Sequence, residues 1–441
     1  MIPEAFAGFF SGLPFGWQLL FTIDLALITI LFAWMVVLFA KATQWLRRGK
    51  AEPALEGPED KMFWVFLVPA LNEESVIVDS VERLLRVEAD RKLIVVINDG
   101  STDSTAAQVE QFSGDAEVLP ITRTMPNAQK GKAAALNDVY RMLGAILAER
   151  GVAREDVIVG IVDADGQLEA HAPRSIARHF VDPAVGGVQI IVRIYNRGHL
   201  LARMQDVEFA VFGFLFQGGR SAWGTAGMGG SGQFNRLTAL DAVSDKVGPW
   251  RDRLTEDQDL GLRLVSAGFK SRQDLQVHIG QQGLSNLRRL CRQRVRWAQG
   301  NLECLRLAPE CLRAPLPLTA RIDLLVQMLM PLWQSFVGIG ILGAFWLAIS
   351  GTASFLGTLS WTRVGFLYML AFGGVLLGCV ARGYMYARGR GMLRGVLVAQ
   401  VYAIYSWILW PVLVGSLSRH LRGQTAWSKT EREPLEAGPP V

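Results

Sequence analysis

Three acidic clusters stand where chemistry is possible. Asp163-Ala164-Asp165-Gly166 follows the apolar run Val157–Val162. In an extended segment, residues i and i+2 share a side, so both carboxylates would aim at one point. Two like charges that close are costly unless a cation holds them, and an all-oxygen set favours Mg2+ or Mn2+. Asp-x-Asp is common by chance, and its weight comes from its place at a strand end. Asn98-Asp99-Gly100-Ser101-Thr102-Asp103 follows a second apolar run. An Asp-Gly turn with a Ser or Thr helix cap explains part of it. The two surplus acids suit a base or a ribose contact. Thr255-Glu256-Asp257-Gln258 reads as a capping box, with Asp259 nearby and Gly268 as a helix stop. The catalytic alternative makes one of its carboxylates a general base on an acceptor hydroxyl.

Other segments carry weaker signals. Pro69-Ala70-Leu71-Asn72-Glu73-Glu74 follows a further apolar run and reads locally as an Asn72 cap with acids in the first helical turn. Lys130-Gly131-Lys132 opens a helix, where lysines oppose the macrodipole unless an anion such as a diphosphate binds there. Gly227-Met228-Gly229-Gly230-Ser231-Gly232 contains G-x-G-x-x-G, but no apolar strand precedes it. The dinucleotide reading therefore fails, and a close-approach loop beside a substrate remains. Residues 287–300, LRRLCRQRVRWAQG, form an arginine-rich amphipathic helix suited to a membrane surface. One face could also present Gln293, Arg296 and Trp297 to a site, Arg296 for phosphate and Trp297 for stacking on a sugar.

These clusters need a scaffold. The runs Phe63–Val68, Leu93–Ile97 and Val157–Val162 are short, rich in β-branched residues and bounded by turn residues. They read as strands buried on both faces, with helices at Ser75–Val87, Ser104–Phe112 and Ala133–Glu149 between them. The alternation implies a doubly wound α/β domain with a mostly parallel sheet, whose ligands lie beyond the carboxyl ends of the strands. The first three polar clusters of the chain's strands fall there.

Half of the 441 residues are apolar, 19% are charged and the net charge is +5, which excludes a disordered chain. The four cysteines (Cys291, Cys304, Cys311, Cys379) lack close pairing, so neither a disulfide scaffold nor a zinc site is expected. Trp17–Ala40 is an apolar run of 24 residues, enough to span a bilayer. Lys41, Arg47, Arg48 and Lys50 follow it and place the middle of the chain in the cytoplasm. Further runs cover 324–349, 364–380 and 395–417. Spanning by the last would put the basic tail outside, against the charge rule, so it is expected to lie along the cytoplasmic face or re-enter it.

Taken in order, Asp99-Gly100-Ser101, Asp163-Ala164-Asp165, Thr255-Glu256-Asp257 and Gln293-Arg294-Val295-Arg296-Trp297 resemble the membrane-integrated family 2 glycosyltransferases, the group of cellulose, chitin, hyaluronan and poly-N-acetylglucosamine synthases. The resemblance covers roughly residues 60–300 and implies a GT-A fold, a UDP-sugar donor and Mg2+ or Mn2+. It implies that Asn72, Glu73, Asp99, Lys132 and Asp163 bind the nucleotide-sugar, and that Asp163 and Asp165 hold the metal. Asp257 would be the catalytic base. Gly230, Glu256, Gln293, Arg296 and Trp297 would serve the diphosphate and acceptor. The tail Trp427-Ser428-Lys429-Thr430-Glu431-Arg432 loosely resembles a hyaluronan-synthase gating segment, which would give Trp427, Lys429, Thr430 and Arg432 a gating role. One base without a carboxylate nucleophile implies inversion.

The expected organisation is a transmembrane helix and linker at 1–50, a cytosolic GT-A domain at 60–283 and interface helices at 284–320. Membrane segments at 321–418 and a cytosolic tail at 419–441 complete it. A processive synthase of a β-linked polysaccharide is expected, from UDP-glucose or UDP-N-acetylglucosamine. Single transfer to diacylglycerol or a polyprenol is the alternative, and a non-catalytic scaffold a remote third. Expected partners are the donor, a polysaccharide or lipid acceptor and the bilayer, with no nucleic acid; an accessory subunit is left open.

Overall fold

The structure, a computed structural model, describes residues 13–51, 58–349 and 392–424. A long amino-terminal helix, α1 (Phe15–Ala51), precedes an eight-stranded sheet. Strands β1 (Phe63–Ala70), β2 (Lys92–Asn98), β3 (Val118–Thr122) and β4 (Val157–Ile161) pair in parallel, in the order β3-β2-β1-β4. Trp64, Phe66 and Val68 of β1 face one core, while Phe63, Val65 and Leu67 face another. Both faces are dry, which is why the sequence runs apolar there without alternating.

Helix α2 (Ile77–Leu85) covers the first core. After the short α3 (Thr105–Glu110), α4 (Lys132–Glu149) covers the second through Leu136, Val139 and Leu143. The sheet continues through β5 (Gln167–Leu168), β6 (Val185–Ile194), β7 (Gln233–Arg236) and β8 (Lys270–Gln281). Between β5 and β6, α5 (Ala172–Phe180) returns to the first core. The doubly wound, mostly parallel α/β expectation holds, with β7 antiparallel to both β4 and β6.

The β6–β7 excursion contains α6 (Leu200–Val211), a π-helical turn at Phe212–Gln217 and α7 (Gly218–Ser221). Here the domain meets α1: a Cβ on Gly219 would lie 2.6 Å from the Leu38 carbonyl oxygen. Helices α8 (Leu237–Val243) and α9 (Glu256–Ser266) follow β7. Then come α10 (Leu287–Glu303), α11 (Ala308–Arg313) and the long apolar α12 (Leu318–Ile349). The last described helix is α13 (Met392–Leu421).

Helices α1 and α12 run antiparallel. Trp34 Nε1 donates to Asp323 Oδ1 (2.8 Å), Asp24 packs on Gly340, and the Trp17 and Trp346 rings stack at 6.5 Å. Asp323 is fully buried and holds the Arg220 guanidinium of α7 at 2.5 Å. Among the described residues, segments Phe15–Arg48, Leu318–Gly343 and Gly395–Leu421 are long and apolar enough to cross a membrane. The third is one continuous helix rather than a broken segment. Tyr405 near its middle reaches Glu208 of α6, and Gln299 of α10 donates to the Gln424 carbonyl just past its end. The expected segment 364–380 and the tail residues Trp427, Lys429, Thr430 and Arg432 lie outside the described residues.

Candidate active site

The carboxyl ends of β1 and β2 carry two loops laced together. Asn72 adopts φ 52° and accepts from the Thr102 N–H (2.8 Å), while its own N–H donates to Ser101 Oγ (2.9 Å). Glu73 N–H donates to Thr105 Oγ1 (2.8 Å), and Glu74 accepts from the Ser104 hydroxyl (2.6 Å) and N–H (3.0 Å). The expected Asn72 helix cap is not formed. Helix α2 starts at Ile77 behind Val76, and the loop's polar groups are spent on its neighbour instead. Asp99 is buried, pairs with Arg123 and accepts from the Gln129 N–H (2.9 Å). Burial pushes its carboxyl up, against those two contacts.

A second group gathers at the end of β4. Lys132, the first residue of α4, places Nζ 2.6 Å from Asp163 Oδ1 and 3.9 Å from Glu256 Oε1. Burial works against this ammonium, but Asp163 and Glu256 more than offset it and hold its pKa above the ordinary lysine value. Its position at a helix start is thus balanced by carboxylates. Burial and the adjacent Asp257 push Glu256 up to about 7, against Lys132 and Arg296. Asp257 is raised too, chiefly by burial, with Lys132 opposing.

The expected capping box at α9 is not made. The Thr255 side chain caps nothing, and Gln258 Nε2 reaches Asn301 Oδ1 on α10 (2.5 Å). The acids of this turn are therefore aimed by tertiary contacts. Gly268, at φ 95°, follows the helix as expected.

The glycine loop closes over these carboxylates. Gly230 has φ 76°, and a Cβ there would lie 3.0 Å from Asp257 Oδ2 and 3.7 Å from Lys132 Nζ. Only glycine meets both demands without strain. The loop leads into strand β7, consistent with rejecting a dinucleotide motif. Its shape is fixed by Gln189 of β6, which accepts from the Gly229 N–H (2.9 Å) and donates to the Ser231 carbonyl (2.9 Å). Ser231 Oγ accepts from the Asp163 N–H (3.1 Å), joining the loop to β4.

Helix α10 borders this group. Asn286 caps it by accepting from the Arg288 and Arg289 N–H groups (3.0 and 3.2 Å). Arg296 Nη1 donates to the Leu254 carbonyl (3.2 Å), and a Cβ on Gly300 would strike Thr255 at 2.5 Å, so α10 lies directly on the acidic turn. Gln293 is buried and accepts from Arg294, while Trp297 packs edge-on against Phe209 at 6.0 Å.

Asp163 and Asp165 sit differently from the extended pair expected. The segment is a turn closed by the Gly166 N–H on the Asp163 carbonyl (2.7 Å). Asp163 faces Lys132, whereas the buried Asp165 accepts from the Gln282 N–H (2.9 Å). Among the described residues, no group of three or more His, Cys, Asp or Glu is arranged to hold a metal. Mg2+ at phosphate sites commonly takes one or two carboxylates and completes its shell with substrate oxygens. The partly exposed Asp163, with Asp165 two residues on, fits that donor set.

The sequence profile described as "Glycosyltransferase like family 2" matches residues 64–300, more than half of the chain. The chain belongs to glycosyltransferase family 2. Its relatives in this family include the beta-monoglucosyldiacylglycerol synthase of Synechocystis, 31% identical over 241 residues, which are 54% of this chain and 47% of that protein. The poly-beta-1,6-N-acetyl-D-glucosamine synthase of Staphylococcus aureus is 29% identical over 242 residues, 54% of this chain and 55% of the relative. The matches span about half the length of these relatives. Among solved structures, the mannosyltransferase PcManGT of Pyrobaculum calidifontis, in complex with GDP-Man and Mn2+, aligns with a TM-score of 0.58. That alignment has 18% identity and covers 92% of this chain and 99% of that one. It shows the GT-A fold. In this fold the acidic clusters stand at the carboxyl ends of β2 and β4 and at the start of α9.

Proposed function

We propose that this glycosyltransferase moves a hexopyranosyl unit from a UDP-sugar, with inversion, onto a growing β-linked polysaccharide. The observation that carries the reading is the convergence of Lys132, Asp163, Glu256 and Asp257 beneath Gly230. Asn72, Glu73 and Asp99 would bind the nucleotide, and Lys132 and Arg296 would face the diphosphate. Asp257 accepts the proton of the acceptor hydroxyl as its oxygen bonds to the anomeric carbon. The bond from that carbon to the diphosphate breaks, and UDP leaves with the electron pair. A divalent cation held by Asp163 and Asp165 with the donor diphosphate would neutralise charge on the leaving group. Asp257 lies on the acceptor side, and the absence of a side chain at Gly230 leaves room for the hydroxyl.

We place the catalytic domain on the cytoplasmic side of the membrane, with α13 lying along that face. The basic residues Lys41, Arg47, Arg48 and Lys50 in the carboxyl-terminal part of α1 support the orientation. The ties of α13 to α6 and α10, near its middle and just past its end, support its lying flat.

A second reading, single transfer to a lipid hydroxyl, is favoured by the Synechocystis glycolipid synthase among the relatives. The test uses the full chain in lipid nanodiscs with Mn2+ and radiolabelled UDP-glucose or UDP-N-acetylglucosamine. Label in an ethanol-insoluble product supports the polymer synthase. Label confined to the organic phase overturns it in favour of the lipid transferase.

A further inference from the structure

Arg294 lies inside the Gln293–Trp297 motif, yet its donors are directed into the protein. It is buried, with 7% of its surface exposed. Nη2 donates to Glu208 Oε2 of α6 (2.7 Å), and the Tyr405 hydroxyl of α13 donates to the same oxygen (2.7 Å). Nη1 donates to Gln293 Oε1 (2.7 Å). The guanidinium carbon lies 4.2 Å from the centroid of the Trp297 ring and 5.6 Å from that of Phe209. One side chain thus holds both Gln293 and Trp297 while two other helices hold it.

We infer that Arg294 is a positioning residue that sets the plane of Trp297 for the acceptor. Its anchor is the Glu208–Tyr405 pair, which makes α13 a structural part of the acceptor side. A planar guanidinium against an indole fixes the ring in a way a lysine cannot, because a lysine has a point charge and no plane. Residues three apart on a helix are neighbours, so Arg294 and Trp297 share a face by sequence alone. Glu208 is the only carboxylate among the described residues that pairs with Arg294. Removing the Tyr405 hydroxyl leaves that carboxylate free to turn, and the guanidinium with it. The π-helical turn immediately after α6 is a further sign, since such turns recur at functional sites.

The inference rests on the glycosyl-transfer reading above, so the experiment separates the two. In nanodiscs, Tyr405→Phe and Arg294→Lys are compared with wild type for transfer to acceptor, for UDP release to water and for UDP binding. Transfer is expected to fall about ten- to a hundredfold, as for a reacting group displaced by about an ångström. UDP release to water and UDP binding are expected to stay within about twofold of wild type, because neither needs the acceptor platform. In a Trp297→Ala background, Tyr405→Phe is expected to add no further loss. Equal loss of transfer and hydrolysis would mark a merely structural contact and overturn the inference, as would additive losses in the Trp297→Ala background. Tyr405→Phe carries the test alone if Arg294→Lys fails to fold. Wild type that neither transfers nor releases UDP would overturn the transfer reading, and this inference with it.

Discussion

Lys132 Nζ and Asp163 Oδ1 stand 2.6 Å apart, joining the first residue of α4 to the turn after β4. The same ammonium reaches Glu256 at 3.9 Å, so one cation links the two acidic clusters. Binding of a donor diphosphate would exchange these carboxylates for phosphate oxygens at a helix amino terminus, where anions are favoured.

Lys132→Met is therefore expected to weaken UDP binding. A hydrogen bond to a charged group is worth about 1.5–3 kcal/mol, or roughly ten- to a hundredfold in affinity. Titration calorimetry with UDP and Mn2+ checks this. Unchanged affinity would remove Lys132 from the donor site.

Gly230→Ala tests the glycine loop. The added methyl would sit 3.0 Å from Asp257 Oδ2 on a backbone at φ 76°, so the substitution meets both crowding and strain. The strain costs about 1–2 kcal/mol in a left-handed conformation. Turnover should fall at least about tenfold while the fold survives, as read by circular dichroism and initial rates.

The Glu256–Asp257 pair gives a pH dependence with a definite sign. Glu256 is raised from 4.5 to about 7 in the fold. Its stabilising contribution is present below the unfolded value and is lost as pH rises through 7. The loss is on the order of 3 kcal/mol. Without donor or cation, wild type should become less stable than Glu256→Gln between pH 5 and pH 8. Thermal unfolding across that range checks it, and parallel curves for the two proteins would contradict it. Transfer should rise with pH as the Glu256–Asp257 pair, both members raised by burial, loses its proton.

Asp323 and Arg220 join α12 to α7 in a buried pair. Breaking it from one side, with Asp323→Asn or Arg220→Met, should cost about 3–5 kcal/mol, whereas replacing both by apolar residues should cost far less. Unfolding in detergent compares the three variants. Single losses under about 1 kcal/mol would show the pair to be dispensable.

Much of the fold was legible because burial on both faces leaves an unbroken apolar run. Phe63–Val68, Leu93–Ile97 and Val157–Val162 became β1, β2 and β4 with small shifts at their ends. Strand β7 left no such trace. It has four residues, and Gln233 and Asn235 are polar yet buried. The order of the acidic clusters identified the family, but local rules misread their geometry. Asn72 and Thr255 looked like helix caps, and neither caps its helix. Gln189 and Arg123 were missed because their partners are remote in sequence. A lone glutamine within the apolar β6 was the one visible hint.

The most direct test of the account is the comparison of wild type with Asp257→Asn, in nanodiscs with Mn2+ and labelled UDP-sugar. The account predicts transfer by wild type and a loss of at least about a hundredfold in the variant, the scale of general-base catalysis, with UDP binding retained. Transfer by Asp257→Asn at the wild-type rate would contradict it.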